Sequence, residues 1–441
     1  MYETETGMVA RMRRQAAAAL ATAALLAPFA ARATDGYFSH GYGMKAMGMG
    51  GASIASTDDT FGGANNPAQM VWVGNRMDIG MSYFGPDRSA TRSGGQYAPM
   101  MDGSVGSNSN VFFLPEFGFN HMYRPDLSFG VTVYANGGMN TNYPQGNFTC
   151  ATPAGHPYAG NALCGTGSLG VDLEQLIVAP TASWRFASNQ SIGISPLLAE
   201  QRFKADGLGA FSNISSNANA LTDMGYNYSF GVGVRIGYLW EVSPMLAVGA
   251  TYASRMSMTN FHNYSGLFAN SGAFDIPANF GAGMQLHPLR DWTLAVDYER
   301  IQYANVPAVG NQSSNPALLG SNGGPGFGWQ DINVWKLGVE YQARADLVLR
   351  AGYNHSQNPV TASNVTFNIL APGVLQDTYT LGATYTINDS NEITLMAAYM
   401  PQNAVSGPSM FSSPAFGGDT GAVDTIRLSE RMFGIAWGKK F

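Results

Sequence analysis

From Arg76 to the C-terminus, apolar residues recur at every second position. A period of two restricts this part of the chain to extended strands with two chemically different faces. Val232, Val234, Ile236, Tyr238 and Trp240 interleave with Gly231, Gly233, Arg235 and Gly237. Trp335, Leu337, Val339 and Tyr341 interleave with Lys336, Gly338, Glu340 and Gln342. Leu347, Leu349, Ala351 and Tyr353 do the same with Val348, Arg350, Gly352 and Asn354. One face is oily and aromatic; the other is small or charged. Charged residues make up 12% of the chain, about half the share usual in a soluble globular protein, while glycine (54), tyrosine (21) and phenylalanine (24) are abundant. This combination suits an all-β membrane protein, an antiparallel transmembrane β-barrel with one face in lipid and its charges in the lumen. After the N-terminus no apolar run is long enough for a helical span.

Fourteen segments carry the pattern: 76–84, 111–124, 127–136, 171–187, 190–205, 225–241, 244–260, 274–287, 290–304, 330–343, 346–357, 373–387, 391–402 and 425–441. Their connections alternate in length. Short turns fall at Arg124-Pro125-Asp126, Ser188-Asn189, Ser243-Pro244, Pro288-Leu289, Arg344-Ala345 and Asn388-Asp389-Ser390. Long Gly/Ser/Asn/Pro-rich stretches fall at 85–110, 137–170, 305–329 and 403–424. Short periplasmic turns and long outer loops are the rhythm of outer-membrane barrels, and an even strand number leaves both ends in the periplasm.

The N-terminus predicts export. Arg11, Arg13 and Arg14 precede the apolar run Ala16 to Ala27, Pro28 breaks it, and Ala31-Arg32-Ala33 fits a cleavage site. Residues 1–33 are therefore assigned to a signal peptide, and those before Met12 to an early start. The two cysteines, Cys150 and Cys164, both lie in the second outer loop. In an exported chain they predict one local disulfide, worth about 3 kcal/mol in the chain-entropy account. The alternative is a metal pair with His156 as a third ligand. At the C-terminus Phe433, Ile435, Trp437 and Phe441 share one face, which suits recognition by the barrel-assembly machinery. The net charge is −6 with no basic patch, so nucleic acid is not expected as a partner.

Residues 34–75 do not alternate. They hold Gly36, Gly41, Gly43, Gly48, Gly50, Gly51, Gly62 and Gly63, with many apolar residues between. A wide barrel without something in its bore would be an open water channel, so this segment is assigned to a plug, and 76–441 to the barrel.

The opening Asp35-Gly36-Tyr37-Phe38, then Gly41-Tyr42-Gly43, Met49-Gly50-Gly51-Ala52, Asp58-Asp59 and Asn66-Pro67-Ala68, resemble the N-terminal hatch of the FadL/TodX (OMPP1) family. These are outer-membrane channels for long-chain fatty acids and related hydrophobic compounds. Leu114-Pro115-Glu116-Phe117-Gly118-Phe119, Phe274-Asp275-Ile276-Pro277 and Asn358-Pro359-Val360 extend the likeness over the mature chain. The resemblance implies a 14-stranded barrel plugged by a hatch in the outer membrane of a Gram-negative bacterium. Ligand would bind first in an apolar groove of the outer loops, then near the hatch N-terminus, and leave sideways through a gap at a kinked third strand. Tyr37, Phe38, Asn66, Pro67 and Ala68 mark the hatch. Gly137-Gly138, at the end of the third segment, is where such a gap could form, or the pair simply opens a loop.

The resemblance also places a basic residue near a bound carboxylate in the fifth strand. In Gln201-Arg202-Phe203-Lys204, alternation about Phe203 is expected to turn Arg202 and Lys204 into the lumen. Arg202 is the head-group candidate, or else part of a lumenal salt-bridge network with Glu200, Asp297 or Glu299. Arg235 and Arg350 are expected to be structural lumenal cations. Leu208, Phe211 and Ile214, with Phe261, Leu267 and Phe268, are candidates for the outer groove. Each buried methylene is worth about 0.8 kcal/mol, so a tail of about fifteen gives on the order of 10 kcal/mol of gross transfer. A hydrogen-bonded carboxylate adds only about 1.5–3 kcal/mol. The tail dominates, and a neutral hydrocarbon is therefore the alternative to a long-chain fatty acid. A surface role, as adhesin or phage receptor, is a further alternative. The six histidines are scattered and no catalytic set can be assembled, so an enzyme is not expected. Nor is a cofactor. The chain is expected to act as a monomer among outer-membrane lipid and lipopolysaccharide.

Overall fold

The computed structural model describes residues 35–56, 58–95, 102–151, 156–412 and 421–441. The signal-peptide assignment, 1–33, lies outside them. Among the described residues fourteen long antiparallel strands close into a barrel. They are β1 (Arg76–Ser93), β2 (Phe112–Arg124), β3 (Leu127–Asn140), β4 (Gly170–Ala187), β5 (Gln190–Asp206), β6 (Asn227–Ser243) and β7 (Leu246–Ala253). Then follow β8 (Asn279–Leu289), β9 (Trp292–Ile301), β10 (Ile332–Arg344), β11 (Leu347–Ser356), β12 (Asp377–Asn388), β13 (Asn391–Pro408) and β14 (Val423–Lys440). Each strand pairs with its sequence neighbour. β1 closes the cylinder against β14 in unbroken register, from Arg76 opposite Lys440 to Ser93 opposite Val423. No helix among the described residues is long and apolar enough to cross a membrane.

Alternation sets the two faces in the lower barrel. Phe230, Val232, Ile236 and Trp240 of β6 are exposed, whereas Arg235 between them is buried in the bore. Asp297, Lys336 and Arg350 are buried there too, as expected for lumenal charges.

Three strands run well past the sequence pattern. β1 continues through 85–93, β3 through 137–140 and β13 through 403–408, all expected as loop. Beyond the lipid the outward face meets water, so Asp87, Ser89 and Thr91 replace the oily residues and the apolar signal disappears while pairing continues. β7 is shorter than expected; its pairing on β6 resumes after a break at Ser257–Met258.

The N-terminal segment lies inside the cylinder. A short helix, α1 (Met44–Gly48), and 3-10 turns at Phe61–Gly63 and Pro67–Trp72 pack on inward side chains. The lumenal charges tie it down. Backbone N–H groups of Ser53 and Ile54 donate to Asp297 Oδ2 at 2.6 and 2.8 Å. Lys45 pairs with Glu392 at 2.7 Å. The Asn66-Pro67-Ala68 run has a local reason. Asn66 caps the following turn by accepting from the Ala68 N–H, Pro67 supplies the fixed φ of its first residue, and Asn66 Nδ2 reaches the Ile54 and Tyr238 carbonyls. The Ala68 carbonyl accepts from Ser183 and Ser191 of the wall. Buried backbone groups of the segment are thus satisfied by the barrel.

Cys150 and Cys164 are disulfide-bonded, with Cα atoms 5.5 Å apart. That settles the pair as a bridge and not a metal site.

Candidate functional site: the hatch tip and the outer pocket

The β2–β3 ladder runs from Arg124–Leu127 only as far as Phe117–Val133. Above that point β2 residues Phe112–Glu116 pair with β1 alone. β3 instead bulges between Ala135 and Gly137, stays on β4, and turns its other edge to the hatch tip. Ser39 N–H donates to the Asn136 carbonyl at 3.2 Å, and Gly138 N–H to the Tyr37 carbonyl at 3.0 Å. A Cβ on Gly137 would collide with that Tyr37 carbonyl, so the close approach requires glycine. Gly137 and Gly138 therefore neither end the strand nor open a loop, as the sequence suggested; they seat the hatch on the strand.

Tyr303, in the turn after β9, pins the same tip. Its hydroxyl oxygen accepts from the Tyr37 and Phe38 N–H groups at 3.1 and 3.3 Å and donates to the Asp35 carbonyl. Its ring lies 2.7 Å from where a Gly36 Cβ would stand, and Gly36 has φ +70°, which explains the glycine. Tyr37 packs among Tyr303, Trp329 and Phe274, with centroids 5.1 to 6.3 Å away. Burial pushes the Asp35 carboxyl up to about 7, against the opposing charge of Lys336. Tyr303 and Trp329 were not singled out from sequence, because their loop has no periodicity to read.

Outside the hatch tip, five outer loops and two strand ends enclose an apolar pocket. It is lined by Leu163, Val171, Phe203, Leu208, Phe211, Leu221, Leu267, Phe268, Ala308, Leu319, Pro325, Gly326, Phe327, Phe367 and Leu370, none with a polar or charged side chain. Leu208, Phe211, Leu267 and Phe268, all groove candidates, lie together in it, and Phe203, expected on the face away from the lumen, joins them. Phe203 stacks on Phe268, Tyr264 and Phe261 with centroids 4.7, 4.8 and 5.5 Å away. Ile214 and Phe261 pack against the same apolar cluster. Leu163 and Phe367 were missed, since isolated apolar residues in loops give no signal.

Arg202 and Lys204 are a correction. Phe203 points inward, so the two cations share the outward face of β5 with Ile192, Ile194 and Leu198. Arg202 donates to both Glu174 oxygens at 2.8 and 3.0 Å, and Lys204 pairs with Asp206 at 3.2 Å. Both lie over the Tyr226 ring. The network expected with Glu200, Asp297 or Glu299 is instead one with Glu174 and Asp206.

A closed, plugged barrel with oily strands outside and an apolar pocket at its outer mouth defines an outer-membrane channel for hydrophobic compounds. The model of the outer membrane protein transport protein family (OMPP1/FadL/TodX) matches residues 20–409, and the chain belongs to that family. It is a transport channel of the Gram-negative outer membrane, not an enzyme. The toluene transporter TodX of Pseudomonas putida superposes with a TM-score of 0.66 at 20% identity, covering 92% of this chain and 100% of that one. The Ralstonia pickettii toluene transporter TbuX gives 0.62 at 18%, covering 91% and 99%. A Pseudomonas aeruginosa FadL homologue gives 0.64 at 15%, covering 92% and 100%. At these identities the likeness is one of fold. No curated protein matches the sequence.

Proposed function

We propose that this channel takes up neutral hydrophobic compounds of the aromatic or aliphatic hydrocarbon class, in preference to long-chain fatty acids. The observation that carries this reading is the lining of the outer pocket: fifteen residues and no group to hold a carboxylate. Desolvating an ionised head there without a partner would cost several kcal/mol, on the order of the affinity the tail supplies. The head-group candidate from sequence, Arg202, faces outward and is bonded to Glu174. The names of TodX and TbuX as toluene transporters agree with this reading.

In this account ligand collects against Phe203, Leu208, Phe211 and Phe268 and passes inward to the hatch tip at Tyr37–Phe38. It leaves toward the membrane between β2 and β3, where pairing stops above Phe117 and Val133. Export requires removal of residues 1–33, and 34–75 act as the hatch. Passive movement suffices, because each step exchanges one apolar surface for another.

One observation favours the fatty-acid reading as second. Arg235 is 5% exposed and, among the described residues, has no carboxylate partner; its bonds to Asn65, Thr251 and Asn279 are 3.2 to 3.4 Å. It lines a small cavity of mixed character with Phe38, Ser39, Lys336 and Glu299. Uptake of labelled toluene and labelled oleate in a deletion strain separates the two. The proposal expects toluene uptake that survives Arg235→Gln. Oleate uptake lost in Arg235→Gln, with no toluene uptake in either protein, would overturn it.

A further inference from the structure

We propose that the buried ion pair Arg92–Asp424, which does not line the outer pocket, is a positioning pair that holds two of its walls at the spacing a ligand needs. This rests on the reading of that pocket as the ligand's first station.

Arg92, at the outer end of β1, stands directly opposite Asp424 in β14. Both are 1% exposed, and Arg92 Nε lies 2.8 Å from Asp424 Oδ1. The rings of Phe411 and Phe148 cover the guanidinium, with centroids 4.2 and 5.6 Å away. Each partner makes a further bond that leaves the pair. Arg92 Nη2 donates to the Ala162 carbonyl at 2.9 Å, and the next residue, Leu163, is a pocket wall. Asp424 Oδ2 accepts from Thr366 Oγ1 at 2.5 Å, and the next residue, Phe367, is another wall. One ion pair thus ties two loops that are far apart in sequence, loops also joined by the bond from Thr141 Oγ1 to the Leu370 carbonyl at 2.8 Å. Asn161 repeats the device on the same loop: its Oδ1 accepts from the Leu163 and Gly165 N–H groups, and its Nδ2 donates to the Gly207 carbonyl beside Leu208.

The physical reason is the nature of the ligand. A hydrocarbon offers no directional bond, so its affinity is the sum of dispersion contacts, and a radial gap of about 0.5–1 Å forfeits a quarter to a half of each one. Apolar loop walls cannot hold themselves to that tolerance. A buried ion pair adds little net stability over apolar side chains of similar volume, but its hydrogen bonds have direction. Here that direction points to the two wall-bearing loops.

The test compares full-length variants in the outer membrane, using tritiated toluene as probe. Arg92→Met with Asp424→Leu removes both charges and so strands neither. Thr366→Val breaks one tie and leaves the pair and the barrel intact, which keeps the test decisive should the double variant fail to assemble. Phe268→Ala is the pocket control. The expected result is normal heat-modifiable mobility with an unchanged maximal rate. The half-saturating concentration should rise about tenfold for the double variant and about threefold for Thr366→Val, within the range by which residues that touch no ligand alter a site. Arg92→Lys with Asp424→Glu should restore part of the loss. Half-saturation like the wild type in Thr366→Val, with Phe268→Ala impaired, overturns the positioning role alone. No effect of Phe268→Ala overturns the pocket reading and this inference with it.

Discussion

The lower barrel and the outer crown are built from the same strands, yet their faces are exchanged. Along β5 the lower half shows Ile192, Ile194 and Leu198 outward and Ser191 and Ser195 inward. Its outer end shows Glu200, Arg202 and Lys204 outward and Leu197, Ala199 and Phe203 inward. β4 does the same, from Trp184 outward and Ser183 inward to Glu174 outward and Leu173 inward. The strand geometry is continuous; the solvent on each side is not. Below, lipid outside demands oil and the hatch inside supplies hydrogen-bond partners. Above, water and polar head groups lie outside, and the interior is where an oily ligand waits. The difference teaches that polarity names a face only at a given height.

Five substitutions sharpen this comparison. The largest effect is expected outside. Ile194→Arg, at lipid depth, should destabilise the barrel by about 2–4 kcal/mol, whereas Glu200→Arg on the same face at the crown should cost under about 1 kcal/mol. Urea unfolding in lipid vesicles measures both, and equal costs would break the contrast. Inside the crown, Leu208→Asp puts an unpartnered carboxylate into the pocket and should raise the half-saturating concentration for toluene tenfold or more, a loss of at least about 1.4 kcal/mol. Mobility on gels should not change, because Leu208 lies outside the strands.

The hatch tip offers a pH handle. The Asp35 carboxyl sits at about 7, above its ordinary range, because it is buried. Its contribution to seating the tip is therefore complete below the ordinary carboxylate value of 3.8, is lost progressively as the pH rises from there to about 7, and changes no further above it. Amide exchange at Tyr37 and Phe38, corrected for intrinsic rate, should speed up across that interval in the wild type and stay flat in Asp35→Asn. The smallest effect is expected at Arg202. Arg202→Gln should change toluene uptake less than about twofold, since a partly exposed pair is worth only about 0.2–1 kcal/mol and the side chain faces away from the bore.

The barrel was legible in the sequence because lipid imposes a period of two over long stretches. Most strand positions, the short turns and the disulfide followed. The hatch was legible from its glycines, of which Gly36 now has a cause under the Tyr303 ring; Gly137, read as a gap or the opening of a loop, is instead where the strand receives the hatch. The pocket was half legible. Leu208, Phe211, Leu267 and Phe268 could be named, but Leu163, Phe367 and Tyr303 sit in loops whose arrangement depends on contacts far apart in the chain. Arg202 went wrong for the reason given by the exchanged faces. Its alternation with Phe203 was read correctly, and the polarity rule of the lipid belt was then applied above the belt.

The most direct measurement is a crystal structure of the full-length channel soaked with toluene. The account predicts ring density between Phe203, Leu208 and Phe268, with Arg202 still bonded to Glu174 on the opposite face of β5. Ligand held against Arg202, or Phe203 turned toward lipid, would contradict it.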